Sequence, residues 1–400
     1  MIPSASPPAE PSGGLRRVLT FWPLVFYGLS VIVGAGIYVA IGAVVARAGA
    51  TAPVSFLLAG IAAAATGLCY AELAGRFPEA SGAVAYVRHG FRSDWLALAT
   101  GAALTVAVAI AAASIAGGAV GYLAVLLPLP APLWIAIIVV GFTLVAMFGV
   151  RESVGTAALL GFVEIAGLLV AIATGLLGAP EYHFAGMVPA GWAEWRGTIS
   201  GAFIAFFAFV GFETLANLAE EVKEPRRTVP RGIVAAVVAS LSLYLAVAIV
   251  VVLSDSRSSN PLLSLFEGKG AAAFAAVGAI AVANGVLVQI VMLARLLYGT
   301  ARAGQLPAIL ARVHPRRQTP VPATALAGAI ILAAALLVSF ERLLVLANAV
   351  TLGVFALVDL ALWRVQSRSS DPVEGLRVPR WLPPLAAALS VAMMVAELAL

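Results

Sequence analysis

Long apolar runs, separated by short connections that carry most of the charge, repeat along the whole chain. They fall near residues 22–46, 52–73, 95–127, 132–149, 154–178, 198–219, 232–253, 271–298, 322–339, 343–363 and 381–400. An α-helix needs about 20 residues to cross about 30 Å of hydrocarbon, so the pattern predicts about eleven transmembrane helices. The third run is long enough to require a tilt or an extension beyond the bilayer. Two runs are interrupted. The first carries Val33-Gly34-Ala35-Gly36-Ile37 at its midpoint, and the sixth carries Phe209-Val210-Gly211-Phe212-Glu213. Irregular backbone at membrane depth survives only where it lines a protein cavity, and paired interruptions in two halves of a chain point to a transporter's substrate site.

Five spans separate one interruption from the other, and five is odd. A second set of five therefore enters the membrane from the opposite side, which predicts an all-α integral membrane protein built as an inverted five-plus-five repeat. The expected division is a disordered cytoplasmic tail over residues 1–20, a ten-span core over 21–363 with repeats near 21–178 and 198–363, and a loop with a peripheral eleventh span over 364–400.

Composition agrees with the pattern. Apolar residues make up 62% of the chain and charged residues 11%, with a mean hydropathy of +1.04, which excludes a water-soluble globule. Nineteen of the 24 Lys and Arg, among them Arg76, Arg226, Arg227, Arg302 and Arg364, fall on one side of the predicted topology. Basic loops stay in the cytoplasm, so the N-terminus is expected inside a cytoplasmic membrane. The net charge of +5 is then a topology and lipid-contact signal and not a nucleic-acid footprint. The single cysteine, Cys69, sits in an apolar run and excludes an intrachain disulfide. Three scattered histidines give no metal-binding motif, and the sequence implies no cofactor and no catalytic constellation.

Three further stretches stand out: Gly28-Leu29-Ser30-Val31-Ile32-Val33-Gly34-Ala35-Gly36-Ile37-Tyr38; Phe206 to Glu213 with Ala219-Glu220-Glu221-Val222-Lys223-Glu224-Pro225-Arg226-Arg227; and Ala294-Arg295-Leu296-Leu297-Tyr298-Gly299 with Val313-His314-Pro315. In this order they resemble the amino acid-polyamine-organocation superfamily of amino acid permeases. Tyr70-Ala71-Glu72-Leu73 and Pro78-Glu79-Ala80-Ser81-Gly82 extend the likeness, which covers the first ten spans. The resemblance implies twelve spans where this chain has about eleven. It also implies, for several proton-coupled members, a lysine in span five, where this chain carries Gly161-Phe162-Val163-Glu164-Ile165-Ala166-Gly167-Leu168. The sign is reversed, so the lysine's role does not carry over.

The chemistry of the breaks follows from helix ends. Unwinding at Val33, Gly34, Ala35, Gly36 and Ile37 frees N–H groups at a half-helix N-terminus, where about half a positive charge attracts a carboxylate. Carbonyls freed around Val210, Gly211 and Phe212 accept from an ammonium, and Phe206, Phe209 and Phe212 are expected to shape the side-chain pocket. Glu213 and Glu164 are carboxylates placed in hydrocarbon and are the candidates for a coupled proton. Asp359 in span ten is expected nearer the cytoplasmic end, solvated or paired with Arg364. Asn284, Gln289, Asn348 and Thr351 read as interhelical hydrogen-bonding residues. No Ser or Thr lies in 281–293 of span eight, which disfavours a sodium site. The expected function is secondary active transport of amino acids, small or neutral ones first, proton-coupled or by exchange. The alternatives are a cationic amino acid or polyamine antiporter and a non-transporting amino acid sensor. No enzymatic step on the substrate is expected.

Overall fold

The computed structural model describes residues 19–79, 82–148, 154–178, 186–254, 258, 260–302, 304–315, 317, 319–368 and 375–399. Residues 1–18 of the tail expected over 1–20, His183 and the side chain of Ala35 lie outside that description, whereas Leu19 is ordered, buried and bonded to the backbone of Glu221 and Lys223. The helices are α1 (Phe21–Ala48), α2 (Ala52–Arg76), α3 (Gly82–Phe91), α4 (Asp94–Leu126), α5 (Ala131–Phe148), α6 (Val154–Gly178), α7 (Trp192–Ala205), α8 (Thr214–Asn217), α9 (Pro225–Leu253), α10 (Gly268–Arg302), α11 (Val321–Leu337), α12 (Phe340–Arg368) and α13 (Leu382–Ala399). Among the described residues nine helices are long and apolar enough to cross a membrane, with Gly36–Arg76 taken as one and α7 joined to α8 through the short 3-10 turn Phe206–Phe209, and Phe21–Gly34 and Val321–Leu337 are shorter apolar helices. Divided at the turn Gly49–Thr51, and with the two halves of α1 taken together, they correspond to the eleven predicted runs.

Local sequence sets several boundaries. Pro53 and Pro225 stand in the first turns of α2 and α9, where their missing N–H costs nothing. Ser93 caps α4, its hydroxyl accepting from the Leu96 N–H at 3.3 Å, with Asp94 in the first turn. The 33 residues of α4 span about 50 Å, well beyond the hydrocarbon core. Large apolar side chains point outward on most helices, including Trp22, Phe26, Leu98, Phe148, Phe162 and Leu169. They give the bundle an apolar outer face.

Polar atoms inside the bundle are few and mostly bonded. Glu72 of α2, fully buried, receives Arg76 Nε and Nη2 on Oε1 at 2.8 and 2.6 Å. Its Oε2 receives Gln366 Nε2 at 2.9 Å and the Val378 N–H at 2.7 Å. This knot holds the segment before α13 against α2. On the opposite face Arg47 Nη1 donates to Ser200 Oγ at 2.6 Å and to Glu397 at 3.1 Å, which ties α13 to α1 and α7. The chain entering α1 pairs with the loop after α8: the Leu19 N–H donates to Glu221 O at 3.0 Å, and the Lys223 N–H to Leu19 O at 2.8 Å.

Candidate functional site

In α1 the break falls at Gly34, whose φ of −19° and ψ of −129° separate the helix from Phe21 to Gly34 from the one that resumes at Gly36. Val33, Gly34 and Ile37 are buried. In the sixth span the α-helix ends at Ala205, tightens into the 3-10 turn Phe206–Phe209, and becomes extended at Val210 (φ −62°, ψ 131°). Gly211 has a φ of +134°, a conformation that an L side chain resists. The helix restarts as the Thr214 N–H and Oγ1 both donate to Gly211 O, at 3.0 and 2.6 Å.

Glu213 belongs to this restart. Its Oε2 accepts from the Gly211 N–H at 2.8 Å, so the carboxyl stabilises the break itself. Glu213→Ala is expected to cost about 1.5–3 kcal/mol and Glu213→Gln roughly half as much, read by thermal unfolding of the purified protein.

The two breaks touch. A Cβ on Gly36 would stand 2.9 Å from Ala208 Cα, and one on Gly211 would stand 3.0 Å from Val31 Cγ1 and 3.2 Å from Val31 O. Backbone therefore crosses backbone, which only glycine allows. The hydroxyl of Tyr244, on α9, lies 2.7 Å from Ile32 O and 2.8 Å from Ala208 O, so one donor serves a freed carbonyl of each break. The Tyr244 ring meets Phe209 and Phe56 edge-on, at 5.0 and 6.0 Å between centroids. Asn348 of α12 donates to Phe203 O at 2.7 Å, near the carbonyl end of α7. An interhelical bond was expected for Asn348, and its partner is the backbone beside the break.

The three phenylalanines divide. Phe209 faces Tyr244, whereas Phe206 and Phe212 both pack on Phe355, with centroids 5.9 and 5.2 Å away, and Phe212 also meets Tyr70 at 5.6 Å. All three are fully buried, so the region between the breaks is closed. Two grooves lie elsewhere. One of about 410 Å³ sits beside the link from α11 to α12, and one of about 720 Å³ runs along α4, between α3 and the end of α10.

Glu164 comes to the break in α1. It is fully buried on α6, its Oε1 accepts from Asn284 Nδ2 of α10 at 3.2 Å, and its Oε2 has no hydrogen-bond partner among the described residues and lies 3.8 Å from where a Gly34 Cβ would be. Tyr38 Oη donates to the Glu164 backbone carbonyl at 2.7 Å, and Tyr122 Oη to Tyr38 O at 2.9 Å. Asn284 is therefore part of the site. Sequence reasoning missed Tyr38, Tyr122 and Tyr244; the available signal was a tyrosine inside an apolar run, whose hydroxyl must find a partner when buried.

Asp359 differs from its expectation. It is fully buried, its Oδ2 accepts from Thr66 Oγ1 at 3.0 Å, and Arg364 stacks over Phe91 at 4.6 Å instead of pairing with it. Five residues along a helix turn by about 140° net, so the two side chains leave α12 on different faces. No group of three metal-ligating side chains occurs among the described residues.

Comparison with known proteins gives the arrangement its relatives. Over 332 residues the chain is 32% identical to cationic amino acid transporter 9, chloroplastic, of Arabidopsis thaliana, covering 75% of this chain and 58% of that protein. The chain thus spans little more than half the length of that relative. It is 30% identical to the methylthioribose transporter of Bacillus subtilis (92% and 85% covered) and 26% identical to that organism's branched-chain amino acid permease BcaP (91% and 84%). In fold it is similar to the manganese transporter of Eremococcus coleocola, with a TM-score of 0.61 at 13% identity, over 97% of this chain and 89% of that one. The inverted repeat with broken first and sixth spans is that fold. The family described as amino acid permease matches residues 19–400, and with the glycine breaks lying inside that match, the chain belongs to the amino acid permease family of the amino acid-polyamine-organocation superfamily.

Proposed function

We propose that this protein is a secondary active transporter that carries an amino acid across the cytoplasmic membrane by alternating access, with its N-terminus in the cytoplasm. The observation that carries this reading is the contact between the two breaks. Half-helix ends of both polarities meet at Gly34 to Gly36 and at Phe206 to Phe212, so backbone N–H groups are available for a carboxylate and carbonyls for an ammonium. Val33, Ile37 and Phe209 surround them with apolar surface, which suits a small neutral side chain. Basic loops on the N-terminal side support the orientation.

Glu164 is the proposed proton carrier, since its Oε2 faces the break and, among the described residues, Asn284 is its side-chain hydrogen-bond partner. Glu213, already bonded to Gly211, serves the break. In proteoliposomes, uptake is expected to rise as external pH falls for the wild type. Glu164→Gln is expected to lose that dependence and to drop gradient-driven uptake at least about tenfold. An unchanged pH profile would remove Glu164 from the coupling.

The same oxygen favours one second reading, a cationic substrate whose side chain pairs with Glu164. A thermal-shift screen against L-alanine, L-leucine, L-arginine and putrescine separates the two, because a ligand at a hundredfold excess over its Kd stabilises the native state by about 2.7 kcal/mol. Binding without flux in proteoliposomes would identify a sensor.

A further inference from the structure

Asp359 and Glu72 are fully buried acids near the C-terminal ends of α12 and α2, helices that pack on each other, and their surroundings differ. Glu72 has four donors, two of them from an arginine. Asp359 has the Thr66 hydroxyl and the Cys69 thiol beside it, while Oδ1 has no hydrogen-bond partner among the described residues. The Tyr70 hydroxyl nearby is likewise buried and without a partner among them, and its ring packs on Tyr86, Phe212 and Phe355, with centroids 5.8, 5.6 and 5.4 Å away. Tyr70 thus joins the surroundings of Asp359 to Phe212, in the break of the sixth span.

The titratable groups near Asp359 are Cys69, Tyr70 and Glu72 on α2, Tyr86 on α3, and Glu213 of the sixth span beyond Tyr70. α4 and α13 also pack on α12, and their acids Asp94 and Glu397 pair with Arg88 and Arg47. The cations on these elements are engaged elsewhere: Arg76 with Glu72, Arg88 with Asp94, Arg364 over Phe91, and Arg368 on Gly90 O. An anion with a bare oxygen and no counter-charge at this depth costs several kcal/mol, whereas the neutral acid forfeits one hydrogen bond. Structural anchoring alone would be served by the arrangement that Glu72 has.

We propose that Asp359 is a second proton-binding site of the transporter, separate from Glu164, which takes up and releases its proton as the break in the sixth span moves against Tyr70. The step is protonation of a carboxylate by solvent and its reverse, with no other bond changed. Tyr70 acts as a positioning residue. The proposal rests on the transport reading for its role in the cycle, and the test below reads the proton itself as well as flux.

Infrared difference spectroscopy of the purified protein detects a buried protonated carboxyl through its carbonyl stretch, which shifts in D2O. The wild type is expected to show such a band. Asp359→Asn, of the same shape and able to keep the Thr66 bond, is expected to remove it, and Glu164→Gln to leave it in place. In proteoliposomes, Asp359→Asn is expected to reduce L-leucine uptake driven by a proton gradient at least about tenfold, with exchange of L-leucine in the absence of a gradient retained. L-arginine is the parallel probe. A spectrum of Asp359→Asn that superimposes on the wild type overturns the proposal, as does full gradient-driven uptake by a variant that has lost the band. If neither amino acid moves in the wild type, the transport reading fails, while the band still decides whether Asp359 holds a proton. Thr66→Val gives a second check in the folded protein, shifting the band without abolishing it.

Discussion

Replacement of Gly36 by valine is expected to abolish transport and to lower the stability of the folded protein. A single Cβ at this position would stand 2.9 Å from Ala208 Cα and 3.1 Å from Ala208 O. Both are backbone atoms of the 3-10 turn in the sixth span and cannot rotate away. Relief requires the two broken spans to separate, which destroys the contact on which the proposed site depends. Overpacking a close contact costs about 1–3 kcal/mol, and the two methyls of valine lie at or beyond the upper end. Gly141→Ala is the control. A Cβ there meets nothing within 4 Å, and alanine favours the helix, so that variant is expected to transport normally and to be at least as stable. The comparison is made by thermal unfolding and by counterflow of L-leucine in vesicles.

Tyr244→Phe is the second large effect. The substitution keeps the ring against Phe209 and Phe56 and removes only the hydroxyl that reaches Ile32 O and Ala208 O. Each carbonyl has been freed from its helix by a break, and no water of the bulk reaches either at this depth. Leaving a buried acceptor without its donor costs about 1–3 kcal/mol. Because the donor is shared, the loss falls on both breaks together and on their mutual placement. The expected result is a fall in flux of about tenfold or more, with a lowered melting temperature. Tyr38→Phe, which removes a bond to α6 on the C-terminal side of the break, is expected to act on the Glu164 region and to leave the Ile32 to Ala208 clasp intact.

Much of this arrangement was legible from the chain. The eleven apolar runs match the crossing segments within a few residues because a lipid environment leaves α-helix as the only economical way to satisfy the backbone. Both breaks were readable because glycine is conspicuous in the middle of an otherwise regular apolar run. The contacts that hold the breaks were not readable. Tyr244 lies 36 residues from Ala208 and 212 from Ile32, and nothing in a local pattern says which carbonyl a tyrosine will meet. Glu213 and Glu164 both read as acids in hydrocarbon, with Glu213 set apart by its place beside a break. Their different partners, the Gly211 N–H for one and Asn284 for the other, depend on how three helices turn toward each other. Asp359 was misplaced for the same reason: its position along α12 suggested a solvated acid, and the packing of α2 and α3 over it removed the solvent.

The central claim is that the two broken spans together hold the substrate. A cryo-EM structure of the protein with a bound amino acid tests it most directly. The account predicts ligand density between residues 33–37 and 206–212, with the carboxylate on N–H groups of the first break and the ammonium on carbonyls of the second. Density seated instead in the groove along α4, with Gly36 still in contact with Ala208, would contradict it.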